Sequence, residues 1–163
     1  METKQRVRLT VNGTEYERDV EVRKTLADFL RYDLGLRGTH LGCEHGVCGA
    51  CTILLDDVSV RSCILYAVQA DSSDLLTVEG LAPPGGELHP LQEAFREHHG
   101  LQCGFCTPGF LMPAMELLVE RQNPTDEEIR ETISGNLCRC TGYQGIVLAV
   151  QQAAGAAATG EQP

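Results

Sequence analysis

The stretch Gly42-Cys43-Glu44-His45-Gly46-Val47-Cys48-Gly49-Ala50-Cys51 places three cysteines in ten residues, spaced C-x4-C-x2-C. A fourth, Cys63, follows after eleven residues. Three thiols come from one tight loop and the fourth from elsewhere in the same unit. Gly42, Gly46 and Gly49 let the backbone wrap closely and turn its N–H groups toward the sulfurs. Upstream, Val7, Leu9 and Val11 alternate with polar residues, Asn12-Gly13 is a two-residue turn signal, and Tyr16 and Val20 alternate back, so residues 6–22 predict a hairpin. Thr25 with Asp28 predicts a helix N-cap, Leu26, Phe29 and Leu30 an apolar helical stripe, and Gly35 and Gly38 its end. Downstream, Thr52–Leu55 and Val58–Ser62 predict a short hairpin around Asp56-Asp57, and Leu75–Val78 a last strand. Strands, helix, loop and strands in this order predict a small α+β sheet domain over residues 1–80.

Residues 81–88, with two prolines and two glycines, read as a linker. Residues 89–154 read as all-helical. Leu91, Ala94, Phe95 and His98 follow helical spacing up to Gly100. Thr107-Pro108 opens a second helix with proline at its first position. Thr125 and Glu128 form a capping box for a third, closed by Gly135, and a fourth runs from about Tyr143 to Ala154. Residues 155–163 are small and polar and read as a disordered tail. A weak repeat links Cys106-Thr107-Pro108-Gly109-Phe110 to Cys140-Thr141-Gly142-Tyr143. Each copy is expected to start a helix directly after its cysteine, with two helix pairs related by an approximate two-fold.

The first cysteine set, Cys43, Cys48, Cys51 and Cys63, has the plant-type [2Fe–2S] ferredoxin spacing. The second set is Cys103-x2-Cys106 and Cys138-x1-Cys140, with 31 residues between the pairs. Placed at helix starts, its cysteines would turn two positive dipole ends toward one anionic cluster, clamp it, and make it the more buried of the two. Zinc also accepts four thiolates, and Cys48-x2-Cys51 with Cys103-x2-Cys106 imitates a zinc ribbon, but that pairing leaves Cys43, Cys63, Cys138 and Cys140 without a role. Cys43-Glu44-His45 resembles half of a Rieske site, and no second Cys-x-x-His accompanies it, so His45 reads as a loop residue. His98-His99 reads as a helix-end pair, and Asp126-Glu127-Glu128 as first-turn helix chemistry. No nucleophile–base arrangement and no phosphate-binding G-x-G-x-x-G is present, so no bond chemistry is expected of the chain itself.

The chain has 163 residues, eight cysteines and a formal net charge of −10. That charge argues against nucleic acid and against an anionic membrane surface. No apolar run suits a membrane-spanning helix, and the start, Met1-Glu2-Thr3-Lys4, has neither an apolar signal core nor a twin arginine. A cytoplasmic protein is the expectation. Thiols stay reduced in that compartment, so metal ligation is preferred to disulfides, for which eight cysteines would allow 105 pairings.

Three segments together carry a resemblance: the stretch 42–51, then Gln102-Cys103-Gly104-Phe105-Cys106-Thr107-Pro108-Gly109, then Asn136-Leu137-Cys138-Arg139-Cys140-Thr141-Gly142-Tyr143. The chain resembles the iron–sulfur subunit of molybdenum hydroxylases, the xanthine dehydrogenase and carbon monoxide dehydrogenase superfamily, over about residues 6–152. The resemblance implies an N-terminal β-grasp, ferredoxin-like domain followed by an all-α four-helix [2Fe–2S]-binding domain. It implies a large partner with molybdenum and a pterin, a medium partner with FAD, and a dimer of heterotrimers. It also implies an electron path from molybdenum to the cluster of Cys103, Cys106, Cys138 and Cys140, then to that of Cys43, Cys48, Cys51 and Cys63, then to FAD. Gln102 resembles the family residue that contacts the pterin; by itself it reads as a polar residue before a ligand, as readily structural as functional.

The expected function is thus electron transfer within an oxidoreductase complex. Carbon monoxide, purines, N-heterocycles, aldehydes and aromatic acyl-CoA thioesters all suit the family as substrates. A free soluble ferredoxin would need only the first cysteine set. A zinc-stabilised interaction module is the remaining alternative, and it would be colourless.

Overall fold

The computed structural model describes residues 3–82 and 85–159, with side chains through Gly155. Its first strands, β1 (Lys4–Val11) and β2 (Thr14–Glu21), pair antiparallel across Asn12-Gly13. Both turn residues lie in the left-handed region, at φ 52° and 75°, which a type I′ hairpin requires. The Thr25 hydroxyl accepts the Asp28 N–H at 3.1 Å and opens α1 (Leu26–Asp28), which continues as a π-helical turn over Phe29–Asp33. The second hairpin, β3 (Thr52–Leu55) and β4 (Val58–Arg61), turns at Asp56 and Asp57, again both with positive φ. The last strand, β5 (Asp74–Leu76), begins one residue before the predicted Leu75–Val78 and ends two residues short of it, because Val78 enters a 3-10 turn. Among the described residues these strands form one mixed sheet, in the order β2-β1-β5-β3-β4.

Four helices follow: α2 (Pro90–Glu97), α3 (Thr107–Glu120), α4 (Asp126–Ile133) and α5 (Gln144–Thr159). Thr125 and Glu128 cap α4 reciprocally. Asp126 and Glu127 share its first turn, as their run predicts. His98 is the C-cap of α2. The sequence predicts a last helix ending at about Ala154 and a disordered tail over 155–163. The helix instead runs to Thr159, where its run of alanines sustains it, and residues 160–163 lie outside the described residues. Pro83-Pro84, the centre of the expected linker, also lies outside them. Leu81, its first residue, is buried in the helical core and does not behave as a free spacer.

Two cores result. One joins the inward faces of β1, β2, β3 and β5 to Leu26, Phe29 and Leu30 of the first helical segment. The other gathers α2–α5 and includes Leu54. Ile53 and Leu54 are neighbours on β3 and point into different cores, so this strand is buried on both faces. The covering element is α3. Its residues Phe110, Leu111, Met112, Pro113 and Ala114 are all buried, which no single contact face could achieve. It packs against β3 and β4 on one side and against α2 and α4 on others. Glu116 of α3 accepts the Ser59 N–H of edge strand β4 at 3.0 Å, occupying a donor that the sheet leaves unpaired.

Candidate metal centres

The β3–β4 register explains the spacing of Cys51 and Cys63. Thr52 pairs with Arg61, so the residue before β3 and those after β4 are neighbours. The Ser62 hydroxyl donates to the Cys51 carbonyl at 2.7 Å and holds that juncture. The Cys63 thiol then lies in hydrogen-bonding contact with Cys51. At the other end of the loop, the Cys48 N–H donates to the Cys43 sulfur at 3.3 Å, and the two thiols are in contact. Backbone N–H groups, that of His45 first and that of Cys48 next, bring the Cys43 thiol down to about 6. His45 thus acts through its main chain, consistent with a loop residue and not a ligand. Burial pushes the Cys63 thiol up to about 11.

The second set forms where the turn before α3 meets the turn between α4 and α5. The Cys103 and Cys140 sulfurs are 3.7 Å apart, and Cys106 is in contact with Cys138. Burial drives the Cys106 thiol up to about 12. Burial also opposes ionisation of Cys138, but three donors outweigh it: the Thr141 hydroxyl at 3.1 Å, and the N–H groups of Thr141 and Cys140, each at 3.4 Å. The Gln102 amide donates to the Cys140 carbonyl at 2.9 Å, tying the two turns together.

Each set therefore consists of two thiol pairs: 43 with 48 and 51 with 63, then 103 with 140 and 106 with 138. All eight cysteines are free of disulfides. Two thiols at each of two points is the donor arrangement of a [2Fe–2S] cluster, and the residues fit that group.

Two expectations about the second set do not hold. Cys106 does precede a helix, as the N-cap of α3, but α5 begins only at Gln144, four residues after Cys140. Gly142 and Tyr143 take positive φ, and the Tyr143 N–H bonds the Thr141 hydroxyl, so the chain turns before it can coil. Only α3 therefore starts directly beside a cysteine of this set. In the chain without partners this set is also the more open: Cys103 and Cys140 are exposed, whereas Cys51 and Cys63 are 2% and 6% accessible. The repeat has another meaning. Its two rings, Phe110 and Tyr143, meet edge to face with centroids 6.0 Å apart, and the Tyr143 hydroxyl accepts the Cys138 N–H at 2.9 Å.

Sequence reasoning passed over Asn136, which is 2% accessible and lies between the two sets. Its side-chain amide donates to the Gly49 carbonyl at 3.1 Å and to the Gly109 carbonyl at 2.5 Å. Arg61 donates to its oxygen at 3.1 Å and to the Thr52 hydroxyl at 2.5 Å. Pro113 was the available signal. A proline inside a helix denies a donor to the carbonyl four residues back, here that of Gly109, and an outside donor must serve it.

Both halves of the chain match known domain families. Residues 9–79 match the family described as 2Fe-2S iron-sulfur cluster binding domain, and residues 77–151 the family described as [2Fe-2S] binding domain. The fold and its two thiol sets define an iron–sulfur protein with two [2Fe–2S]-binding domains. The nicotine 6-hydroxylase small subunit of Paenarthrobacter nicotinovorans is 60% identical over 89% of this chain and 87% of its own length. The caffeine dehydrogenase subunit gamma of Pseudomonas sp. (strain CBB1) is 57% identical over 89% of this chain and 88% of its own. A chain in the crystal structure of quinoline 2-oxidoreductase from Pseudomonas putida 86 superposes with a TM-score of 0.93 at 50% identity, covering 99% of this chain and 100% of that one. This chain belongs to the family of small iron–sulfur subunits of molybdenum hydroxylases and dehydrogenases.

Proposed function

We propose that the chain carries two [2Fe–2S] clusters and conducts electrons from a molybdenum–pterin centre to FAD, both held by partner subunits. The observation that carries this reading is the two-by-two pairing of the thiols in each set. A cluster held by four thiolates takes up and releases one electron. In this reading Cys43, Cys48, Cys51 and Cys63 hold the first cluster, and Cys103, Cys106, Cys138 and Cys140 the second. The domains are a β-grasp, ferredoxin-like unit over 1–80 and a four-helix unit over 89–154, joined by 81–88. The chain's own work is to present N–H and O–H donors to the sulfurs and to keep both sites at a set separation. It catalyses no bond chemistry.

The open rim of the second set supports its being the entry point. Cys103 and Cys140 are exposed, and Leu101, Phe105 and Leu137 expose apolar surface beside them. Gln102 lies in this rim. Its amide is committed to Cys140, which leaves the carbonyl oxygen for a pterin donor. The large and medium partners, and a dimer of heterotrimers, follow the family pattern. Relatives named for nicotine, caffeine and quinoline support an N-heterocyclic substrate for the complex. Among the described residues no helix is long and apolar enough to cross a membrane, and the cytoplasm is the proposed location.

Metal and sulfide analysis of the native protein tests the reading. About four iron and about four acid-labile sulfides per chain are expected. Zinc, or half that iron, would overturn it. Native mass spectrometry of protein from its own host should find a large and a medium subunit attached; a stable lone monomer would count against the assembly.

A further inference from the structure

The two thiol sets are joined by the buried Asn136 carboxamide and, beside it, by the Leu137 N–H, which donates to the Cys48 carbonyl at 2.9 Å. We infer that Asn136 is a positioning residue that locks the loop of Cys48 and Cys51 to the helix behind Cys106, and so sets the separation and magnetic coupling of the two clusters. The inference rests on the two-cluster reading above.

Gly49 lies between Cys48 and Cys51, and Gly109 lies three residues after Cys106. Asn136 bonds the carbonyls of both with one amide group. It stands two residues before Cys138, so three of the ligand-bearing segments meet at this side chain. The acceptors suit the role. Pro113 removes the helical donor of the Gly109 carbonyl, leaving it to Asn136. Arg61 holds the carboxamide oxygen and the Gly135 carbonyl, which fixes which end of the side chain faces the two glycines. The site has no room for slack, since a Cβ on Gly49 would come within 2.6 Å of the Asn136 carboxamide carbon. Breaking the bond to Gly109 strands that carbonyl, whereas the Gly49 carbonyl keeps the Thr52 N–H and hydroxyl, so the latch is held chiefly from the Gly109 side. Electron transfer and dipolar coupling between paramagnetic centres both weaken steeply with distance, so a latch here acts on both.

The test is low-temperature EPR of the fully reduced complex, with iron counted in every sample. The unsubstituted complex should show splitting from the interaction of the two reduced clusters. Asn136→Ala removes both donors. Asn136→Asp keeps the shape but sets a carboxylate against two carbonyls. Both should reduce the splitting while keeping full iron and two separate cluster signals, the Leu137 N–H bond to the Cys48 carbonyl remaining in each. Pro113→Ala gives a further arm that does not weaken the helix: it restores an N–H for the Gly109 carbonyl, which then competes with Asn136 and should reduce the splitting. Retained splitting in Asn136→Ala and Pro113→Ala at full iron would overturn the role of Asn136 alone. Loss of iron from either cluster in Asn136→Ala would also overturn it, because the residue would then be holding a cluster, not a distance. An unsubstituted complex with half the iron would overturn the two-cluster reading and this inference with it.

Discussion

Gly109 of α3 lies backbone to backbone against Gly49 of the first cysteine loop. A Cβ at position 109 would collide with the Gly49 carbonyl oxygen and come within 3.0 Å of the Ala50 Cα. Both obstacles are main chain, so no side chain can swing aside. Gly109→Ala should therefore destabilise the protein by about 1–3 kcal/mol, the usual cost of overpacking. Thermal unfolding of the purified complex measures this, and an unchanged midpoint would show that the two segments can part without cost.

The proposed electron route is tested by cutting it at each set. Cys106→Ser replaces a soft thiolate by a hydroxyl, a poor ligand for iron. In an assembled complex, substrate should still reduce molybdenum, and flavin reduction should stall. Cys48→Ser should leave the second cluster reducible and the flavin equally starved. Rapid-mixing EPR with flavin absorbance follows both steps. Normal flavin reduction in a Cys106→Ser complex shown to lack its second cluster would remove that cluster from the route.

Thr141 directs an O–H at the Cys138 sulfur at 3.1 Å, a side-chain donor for the second cluster in the proposed reading. Hydrogen bonds to ligand sulfur favour the more negative, reduced cluster. Thr141→Val should lower the potential of that cluster, and Thr141→Ser should restore most of it. A potentiometric titration followed by EPR measures the shift, and equal potentials for Val and Thr would show that the hydroxyl does not tune the site.

Glu128 links α4, the helix that leads to Asn136 and Cys138, to pH. The Thr125 N–H, accepted at 2.7 Å, lowers its carboxyl below the ordinary 4.5. A carboxyl lowered on folding contributes stability above its unfolded value, and loses that contribution as pH falls through the folded one. Glu128→Gln keeps an acceptor and removes the titration. The acid fall in melting temperature should become shallower in this variant, and an unchanged acid limb would dissociate the cap from pH stability.

Much of the molecule was legible locally. Asn12-Gly13 and Asp56-Asp57 announced both hairpins because their left-handed conformations are set within the turn itself. The capping box at Thr125 and Glu128 depends only on residues three apart. The cysteine spacings carried the thiol sets, since a close-wrapped loop and a short hairpin bring sulfurs together at fixed intervals. Long-range packing was not legible. The start of α5 near Tyr143 was legible, but a helix directly after Cys140 is not formed, because the Thr141–Tyr143 turn intervenes and sets the Tyr143 hydroxyl on the Cys138 N–H.

What the sequence by itself determined is the thiol inventory, the strand and helix content, and the pairing of chemistry with local turns, because these follow from neighbours along the chain. Three features came from packing: β3 is buried on both faces, the second thiol set is the open one in the chain without partners, and Asn136 bridges the two sets. Each of these depends on α3 lying between sheet and helices. Residues 49, 109 and 136 have no local pattern in common; they meet because Pro113 leaves a carbonyl unserved and the fold brings a donor to it.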